Sequence, residues 1–282
     1  MINVKTAFAI VGMFLITQLL GLYVGIQYLG LIEYGEIPPV FENPESLGNP
    51  LLLFVYMMVS TAVILMLVRY WKPSIRGLEA FVVFFSSWLT FDFIFPVAVG
   101  YFSLGLFMAI ALTVWKFFRP TILSQNVAAI ISGAGVGALL GASFGIVPSL
   151  VFLVILCAYD FVSVFITKHM ITLAKALTKT PTAFTIASPH KFKKTTKVGV
   201  KGIKKKFHVF QLGVGDMVIP LMFSISLLRD FPVISSLITM LGSTVALLLL
   251  IYFMSKRPRP LPALPFISLG TLSGFIVSML IL

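Results

Sequence analysis

Apolar runs of about 20 residues alternate with short polar connections along the whole chain. Folded as a helix, a run of that length crosses the roughly 30 Å of hydrocarbon in a bilayer. The pattern predicts an all-α protein with nine transmembrane helices. The predicted spans are 6–28, 51–70, 78–97, 101–118, 125–145, 147–168, 208–228, 232–254 and 262–282.

The connections divide the chain into three parts. Six spans lie within 1–168, a basic hydrophilic loop occupies 169–207, and three more spans lie within 208–282. The loop begins with a candidate amphipathic helix, Met170 to Leu177, and carries eight lysines between Lys191 and Lys206. We interpret its basic part as a mobile segment that contacts anionic membrane lipids. The whole chain is expected to form one membrane domain.

Composition supports this interpretation, because 59% of the residues are hydrophobic and only 11% are charged. A soluble domain carries about twice that charged fraction. We therefore expect a multi-pass integral protein of the cell membrane. The net charge of +12 does not indicate nucleic-acid binding, since the basic residues follow the connections between apolar runs.

The basic residues also predict the orientation. Of the 21 Lys and Arg residues, 19 lie in the even-numbered connections, and Lys5 lies on the same side. Arg229 is the exception. Because positively charged connections stay in the cytoplasm, the N-terminus is predicted to be cytoplasmic and the C-terminus outside.

Three aspartates, Asp92, Asp160 and Asp216, lie within predicted spans. An ionised Asp at mid-helix costs about 2.5–3.5 kcal/mol, so such residues are functional candidates. Asp160 lies eight residues before Lys168, and Asp216 lies eight residues after His208. On two antiparallel helices, both would lie about 12 Å from the cytoplasmic face. We predict a shared site there, and we expect Asp92 to be structural, with Ser86 and Ser87 as hydrogen-bond partners.

Paired carboxyls suit peptide hydrolysis, because two such groups a few Å apart share one proton. One activates a water molecule and the other polarises the carbonyl. Gly213-Val214-Gly215-Asp216 places Gly213 on the same helical face as Asp216 and loosens the predicted helix. Pro260, Pro262 and Pro265 at the start of the last span leave backbone carbonyls unpaired, which favours docking of an extended substrate.

Tyr159-Asp160, Gly213-x-Gly215-Asp216 and Pro262-Ala263-Leu264, in this order, resemble the motifs of the presenilin and signal peptide peptidase family of GxGD intramembrane aspartyl proteases. The resemblance implies that Asp160 and Asp216 are catalytic. It also implies that substrates are single transmembrane helices. Six residues would border the substrate: Tyr159, Gly213, Gly215, Pro262, Ala263 and Leu264.

The predicted orientation and the sequence from Leu261 to Pro265 resemble the presenilin branch, most closely a microbial, archaeal homologue. The resemblance leaves open whether the chain self-associates, needs partner subunits or cleaves its own 169–207 loop.

Other chemistries are less consistent with the pattern. Gly141-Ala142-Ser143-Phe144-Gly145 matches the serine hydrolase elbow, but Ser143 is predicted near the outer face and every histidine lies in or beside the cytoplasmic loop. With Gly133 and Gly137, these glycines form a four-residue repeat typical of close helix packing. The histidines lack metal-ligand spacing, so no metal or cofactor is expected.

A second class of function is transport, because paired intramembrane carboxylates also relay protons in transporters and ion leak channels. The chain lacks the matched pair of broken helices typical of carriers. Prepilin-type peptidases also use a GxGD motif, but with fewer spans and without Pro-Ala-Leu. The sequence therefore favours an intramembrane aspartic endopeptidase.

Overall fold

The computed structural model describes residues 4–70, 74–99, 102–166, 185–190, 208–256 and 262–282. Nine α-helices lie in these ranges. They are α1 (Val4–Glu33), α2 (Gly48–Tyr70), α3 (Ser74–Ile94), α4 (Leu104–Phe118), α5 (Ile122–Ser143), α6 (Ile146–Phe161), α7 (Gly215–Ser226), α8 (Val233–Lys256) and α9 (Ala263–Ile281).

Six of these helices are long and apolar enough to cross a membrane: α1, α3, α5, α6, α8 and α9. The apolar segments Gly48–Ile64 of α2 and Leu104–Phe118 of α4 are shorter. The helix α7 has 12 residues, which corresponds to about 18 Å. The structure therefore confirms a multi-spanning helical protein and gives six full-length candidate spans within the described ranges.

The seventh predicted span, 208–228, is wrong in its first part. Residues His208–Gly213 form a strand, β4, and the helix α7 begins only at Gly215. The predicted depth of Asp216 assumed a helix that begins at His208. Because no helix begins there, helical rise does not give the depth of Asp216. Glycine is a poor helix former, and of the two glycines before Asp216, Gly213 ends the strand and Gly215 begins the helix.

The strand β4 pairs with β3 (Thr185–His190) in an antiparallel ladder, in which Thr185 is opposite Gly213. The predicted mobile loop 169–207 therefore contains a strand. The rest of that loop, including the predicted amphipathic helix and the eight lysines, lies outside the described residues. A second short hairpin, β1 (Ala98–Val99) and β2 (Phe102–Ser103), joins α3 to α4.

The sheet of β3 and β4 is fixed to the helices by apolar packing. Ile186 of β3 and Leu212 of β4 are buried in one cluster with Phe14 of α1 and Met217 of α7. Because this cluster joins both strands to α1 and α7, it holds the sheet at the end of α7 that carries Asp216.

The helix α7 lies at the centre of the bundle and is buried from Met217 to Ser226. Its neighbours approach it closely through glycines. Side chains of α7 lie against Gly21 and Gly25 of α1, and against Gly133, Gly137 and Gly141 of α5. The prediction that the glycine repeat of α5 serves close packing is therefore confirmed at these three positions. Gly145 differs, because it lies against the carboxyl group of Glu45.

Candidate active site

Asp160 lies at the end of α6, where the helix widens. Residues Val162–Ile166 continue α6 as a π-helical turn, and the N–H of Val162 is shared between the carbonyls of Ala158 and Tyr159. The Ser163 hydroxyl donates to the Asp160 carbonyl at 3.0 Å. Such π-helical turns inside helices are frequent at functional sites. The local backbone around Asp160 is thus irregular where its carboxyl is presented.

The Asp160 carboxyl is linked to the start of α9. The backbone N–H of Leu264 donates to its Oδ2 atom at 3.3 Å. Pro262 precedes α9 in an extended conformation, with φ −64° and ψ 121°, and provides no side-chain cap. The first N–H groups of a helix need partners from outside the helix, so Asp160 supplies one for α9. This contact brings the predicted Pro262-Ala263-Leu264 motif to the site.

Asp216 is the second residue of α7, directly after the turn from β4. The backbone amide of Gly213 faces the Asp216 carboxyl. A Cβ atom at Gly213 would lie 3.3 Å from Asp216 Oδ2, which is a tight contact. The prediction that Gly213 shares a helical face with Asp216 is wrong, but the turn still places the two residues together.

The two carboxyl groups come together from separate elements. Asp160 and Asp216 are both half-buried, and their carboxyls are close enough to interact electrostatically. One side of the pair is held by α6 and α9, and the other by β4 and α7. The arrangement brings two acidic side chains within electrostatic range of each other, and general acid–base hydrolysis uses such a pair.

The remaining predicted site residues lie around this pair. Tyr159 is half-buried and packs edge-on against Phe54 of α2, with ring centroids 6.1 Å apart. Gly215 is exposed, and a Cβ atom there would have no neighbour within 4 Å. Pro262 and Leu264 are buried, whereas Ala263 is half-buried. Gly215 thus borders open space one residue from Asp216.

Asp92 does not join this pair. Its carboxyl lies against Gly105 at the start of α4, and its Oδ1 atom is buried without a hydrogen-bond partner among the described residues. The predicted bonds from Ser86 and Ser87 are wrong, because both hydroxyls donate to backbone carbonyls of α3. Asp92 contacts the α3–α4 hairpin instead.

The serine hydrolase alternative finds no support in the geometry. Ser143 is buried at the end of α5, and its hydroxyl donates to the carbonyl of Leu139. His190 and His208 are opposite each other at the far end of the β3–β4 ladder from Gly213, and His169 lies outside the described residues.

Two buried glutamines near Asp216 were not predicted from the sequence. Gln18 of α1 donates to the carbonyl of Met217, and Gln125 of α5 donates to the carbonyl of Thr185. A glutamine within an apolar run indicates a structural or functional contact, because an amide in a membrane needs a partner inside the protein. Sequence alone did not reveal which backbone groups would be those partners.

A helical membrane bundle with two neighbouring aspartate carboxyls is the arrangement expected of an intramembrane aspartic protease. The chain belongs to the signal-peptide peptidase, presenilin aspartyl protease family, whose sequence profile matches residues 11–282. It is accordingly a multi-pass integral membrane protein and an aspartic endopeptidase. The motif-based resemblance to this family is confirmed.

Two solved structures share the fold, and both are described as a presenilin family intramembrane aspartate protease. The one in a C222 crystal form is 23% identical, with a TM-score of 0.68, and the match covers 98% of each chain. The one in a P2 crystal form is 26% identical, with a TM-score of 0.65, and the match covers 94% of this chain and 97% of the other. A comparison with curated proteins finds no match.

Proposed function

We propose that Asp160 and Asp216 are the catalytic pair of this protease and cut transmembrane helices of substrate proteins. The observation that carries the proposal is the mutual packing of α6, α7 and α9, which brings the two carboxyls close enough to interact electrostatically. Asp92, the other aspartate of the predicted spans, lies against Gly105 in the α3–α4 hairpin.

The chemistry follows from two carboxyls that share one proton. The ionised carboxylate removes a proton from water, and the water oxygen attacks the substrate carbonyl carbon. The other carboxyl donates its proton to the carbonyl oxygen. When the tetrahedral intermediate collapses, one of its hydroxyls returns its proton to the now ionised carboxylate, the C–N bond breaks, and the nitrogen leaves with the proton that the other carboxyl took from water. Because the two groups titrate as a unit, neither role is assigned to one aspartate.

The substrate helix must unwind before its backbone reaches the carboxyls. The open space at Gly215 gives a second backbone room to approach Asp216. The extended backbone at Pro262 offers an edge on the opposite side, beside Asp160. We therefore place the extended substrate between these two segments, held by strand-like backbone hydrogen bonds. Tyr159, Gly213, Ala263 and Leu264 border the same region and complete the proposed substrate contacts.

We further propose nine membrane crossings with the N-terminus in the cytoplasm. The alternation of basic connections supports this topology. Lys116 is buried in α4 and ion-paired with Glu79, so it is not a solvent-exposed loop charge. The exceptional Arg229 donates to the carbonyl of Ala142 and interacts with Glu45, Asp230 and Glu33. These contacts compensate its charge on the outer side.

Purified protein in liposomes with a single-span substrate tests the proposed pair. We expect two products whose new ends lie within the substrate's transmembrane helix, and no products from Asp160→Ala or Asp216→Ala. Asp92→Ala serves as the matched intramembrane control and should retain cleavage. Loss of cleavage in Asp92→Ala alone, with normal folding, would show that the wrong pair was chosen.

The same liposomes test the transport alternative, which the family membership does not favour. Proton flux measured with an entrapped pH dye should be absent from wild-type protein. A flux that persists in variants without proteolysis would support a carrier or leak function.

A further inference from the structure

A buried glutamine lies on each side of the turn that carries Asp216. Gln18 of α1 is 1% exposed and Gln125 of α5 is 2% exposed. A buried amide is costly unless its groups find hydrogen-bond partners. Gln18 directs its Nε2 at the carbonyl of Met217, next to Asp216, and Gln125 directs its Nε2 at the carbonyl of Thr185, which pairs with the end of β4.

Gln18 acts on the helical side of the turn. Its Nε2 donates to the carbonyl of Met217, the residue after Asp216, at 2.9 Å. In an α-helix that carbonyl also accepts the N–H four residues later, so its hydrogen-bonding need is met without Gln18. The neighbouring Thr17 hydroxyl lies 3.8 Å from the Met217 sulfur. The helix α1 therefore holds both the backbone and the side chain of Met217.

Gln125 acts on the strand side of the turn. Its Nε2 donates to the Thr185 carbonyl at 2.5 Å and lies 3.1 Å from the Thr185 hydroxyl. Thr185 is opposite Gly213 in the β3–β4 ladder, and Gly213 lies so close to the Asp216 carboxyl that a Cβ atom there would be 3.3 Å from Oδ2. The helix α5 thus fixes β3, and β3 fixes Gly213 beside the Asp216 carboxyl.

We propose that Gln18 and Gln125 are positioning residues that clamp the Asp216 turn between α1 and α5, so that its carboxyl meets that of Asp160. This inference rests on the proposed function of the two aspartates. The glutamines act through the backbone of Met217 and of Thr185, the strand partner of Gly213, and have no role in proton transfer.

If Gln18 had only a structural role, its removal would lower kcat only as far as it lowered thermal stability. Its Oε1 atom is buried without a hydrogen-bond partner among the described residues. Gln18→Leu removes this unpaired acceptor together with the bond to Met217, and such exchanges are close to neutral for stability. Positioning instead predicts that catalysis falls while the thermal midpoint stays near that of the wild type.

The test compares Gln18→Leu, Gln125→Leu and the control Gln27→Leu, which lies on the exposed side of α1. Cleavage of a single-span substrate is measured in one detergent, together with thermal unfolding. We expect kcat to fall about 10- to 100-fold in the first two variants at unchanged KM, since small misplacements of catalytic groups have effects of that size. Gln27→Leu should match the wild type.

Wild-type kcat in Gln18→Leu would overturn the proposal, and so would a loss of kcat that only follows a loss of thermal stability. If Gln125→Leu does not fold, the Gln18 result decides the outcome. Asp216→Ala, assayed in parallel, distinguishes a failure of the catalytic pair from a failure of the glutamine clamp. Cleavage by Asp216→Ala refutes the catalytic pair itself, whereas its inactivity beside an unaffected Gln18→Leu refutes only the clamp.

Discussion

At the residue scale, backbone groups lie against both carboxyls of the proposed pair. Leu264 donates its N–H to Asp160, and the amide of Gly213 faces Asp216. The sequence identified the aspartates, because charged side chains in apolar runs are conspicuous. It could not show which backbone N–H groups lie against them, since every residue other than proline carries the same backbone N–H.

Gly213→Ala tests the tight contact with Asp216. The added methyl group would lie 3.3 Å from Asp216 Oδ2, so the carboxyl must shift by a few tenths of an ångström. We expect cleavage to slow by about 10-fold or more with little change in thermal stability. Gly215→Ala is the matched control for effects on the enzyme without substrate, because its added methyl group meets open space there.

Gly215→Ala should instead raise KM if the substrate backbone passes Gly215. Steady-state kinetics separates the two effects, since Gly213→Ala is expected to lower kcat. Equal and unchanged parameters in both variants would contradict the placement of substrate beside Asp216.

At the element scale, the short helix α7 depends on its neighbours for its position. Glycines of α1 and α5 let both helices lie directly on its buried side chains. The sequence predicted close packing at the four-residue glycine repeat of α5, but not the contribution of the α1 glycines or the identity of α7 as the partner. It did not predict β4, because the apolar run 208–228 has the length of a span, and its paired residues in β3 lie 18 to 28 positions earlier.

Gly141→Ala tests the contact between α5 and α7. A Cβ atom there would lie 2.6 Å from both Ile225 Cβ and the Met222 carbonyl oxygen. We expect a loss of about 1–3 kcal/mol, as for other overpacked cores, measured by denaturation in detergent. Gly12→Ala on α1, where the added group meets no atom within 4 Å, should leave stability unchanged or raise it. Equal stability of both variants would contradict the close packing.

At the whole-molecule scale, the apolar runs predicted the helices well. The bounds of α2, α5, α8 and α9 each lie within three residues of their predicted spans. The pairing of the 169–207 region with β4 was missed, because basic, polar composition indicates a loop and carries no signal for its partner strand. Six helices have the length of a full span, and the nine-span topology stays a prediction.

Labelling with a membrane-impermeant maleimide tests that topology. Cys157 is the single cysteine of the chain, so Cys157→Ser provides a background for new cysteines. Glu42→Cys, in the exposed α1–α2 connection, should react in intact cells. Arg119→Cys, in the exposed α4–α5 connection, should react only after permeabilisation. The reverse pattern would invert the proposed orientation.

The most direct test of the central claim is the cleavage rate of Asp160→Asn, Asp216→Asn and the double variant, because asparagine keeps the size of the side chain and removes its acid. We predict that each single variant loses nearly all activity and that the double variant is no worse than either, since residues that act as a unit are not additive. A wild-type rate in either single variant would contradict the account.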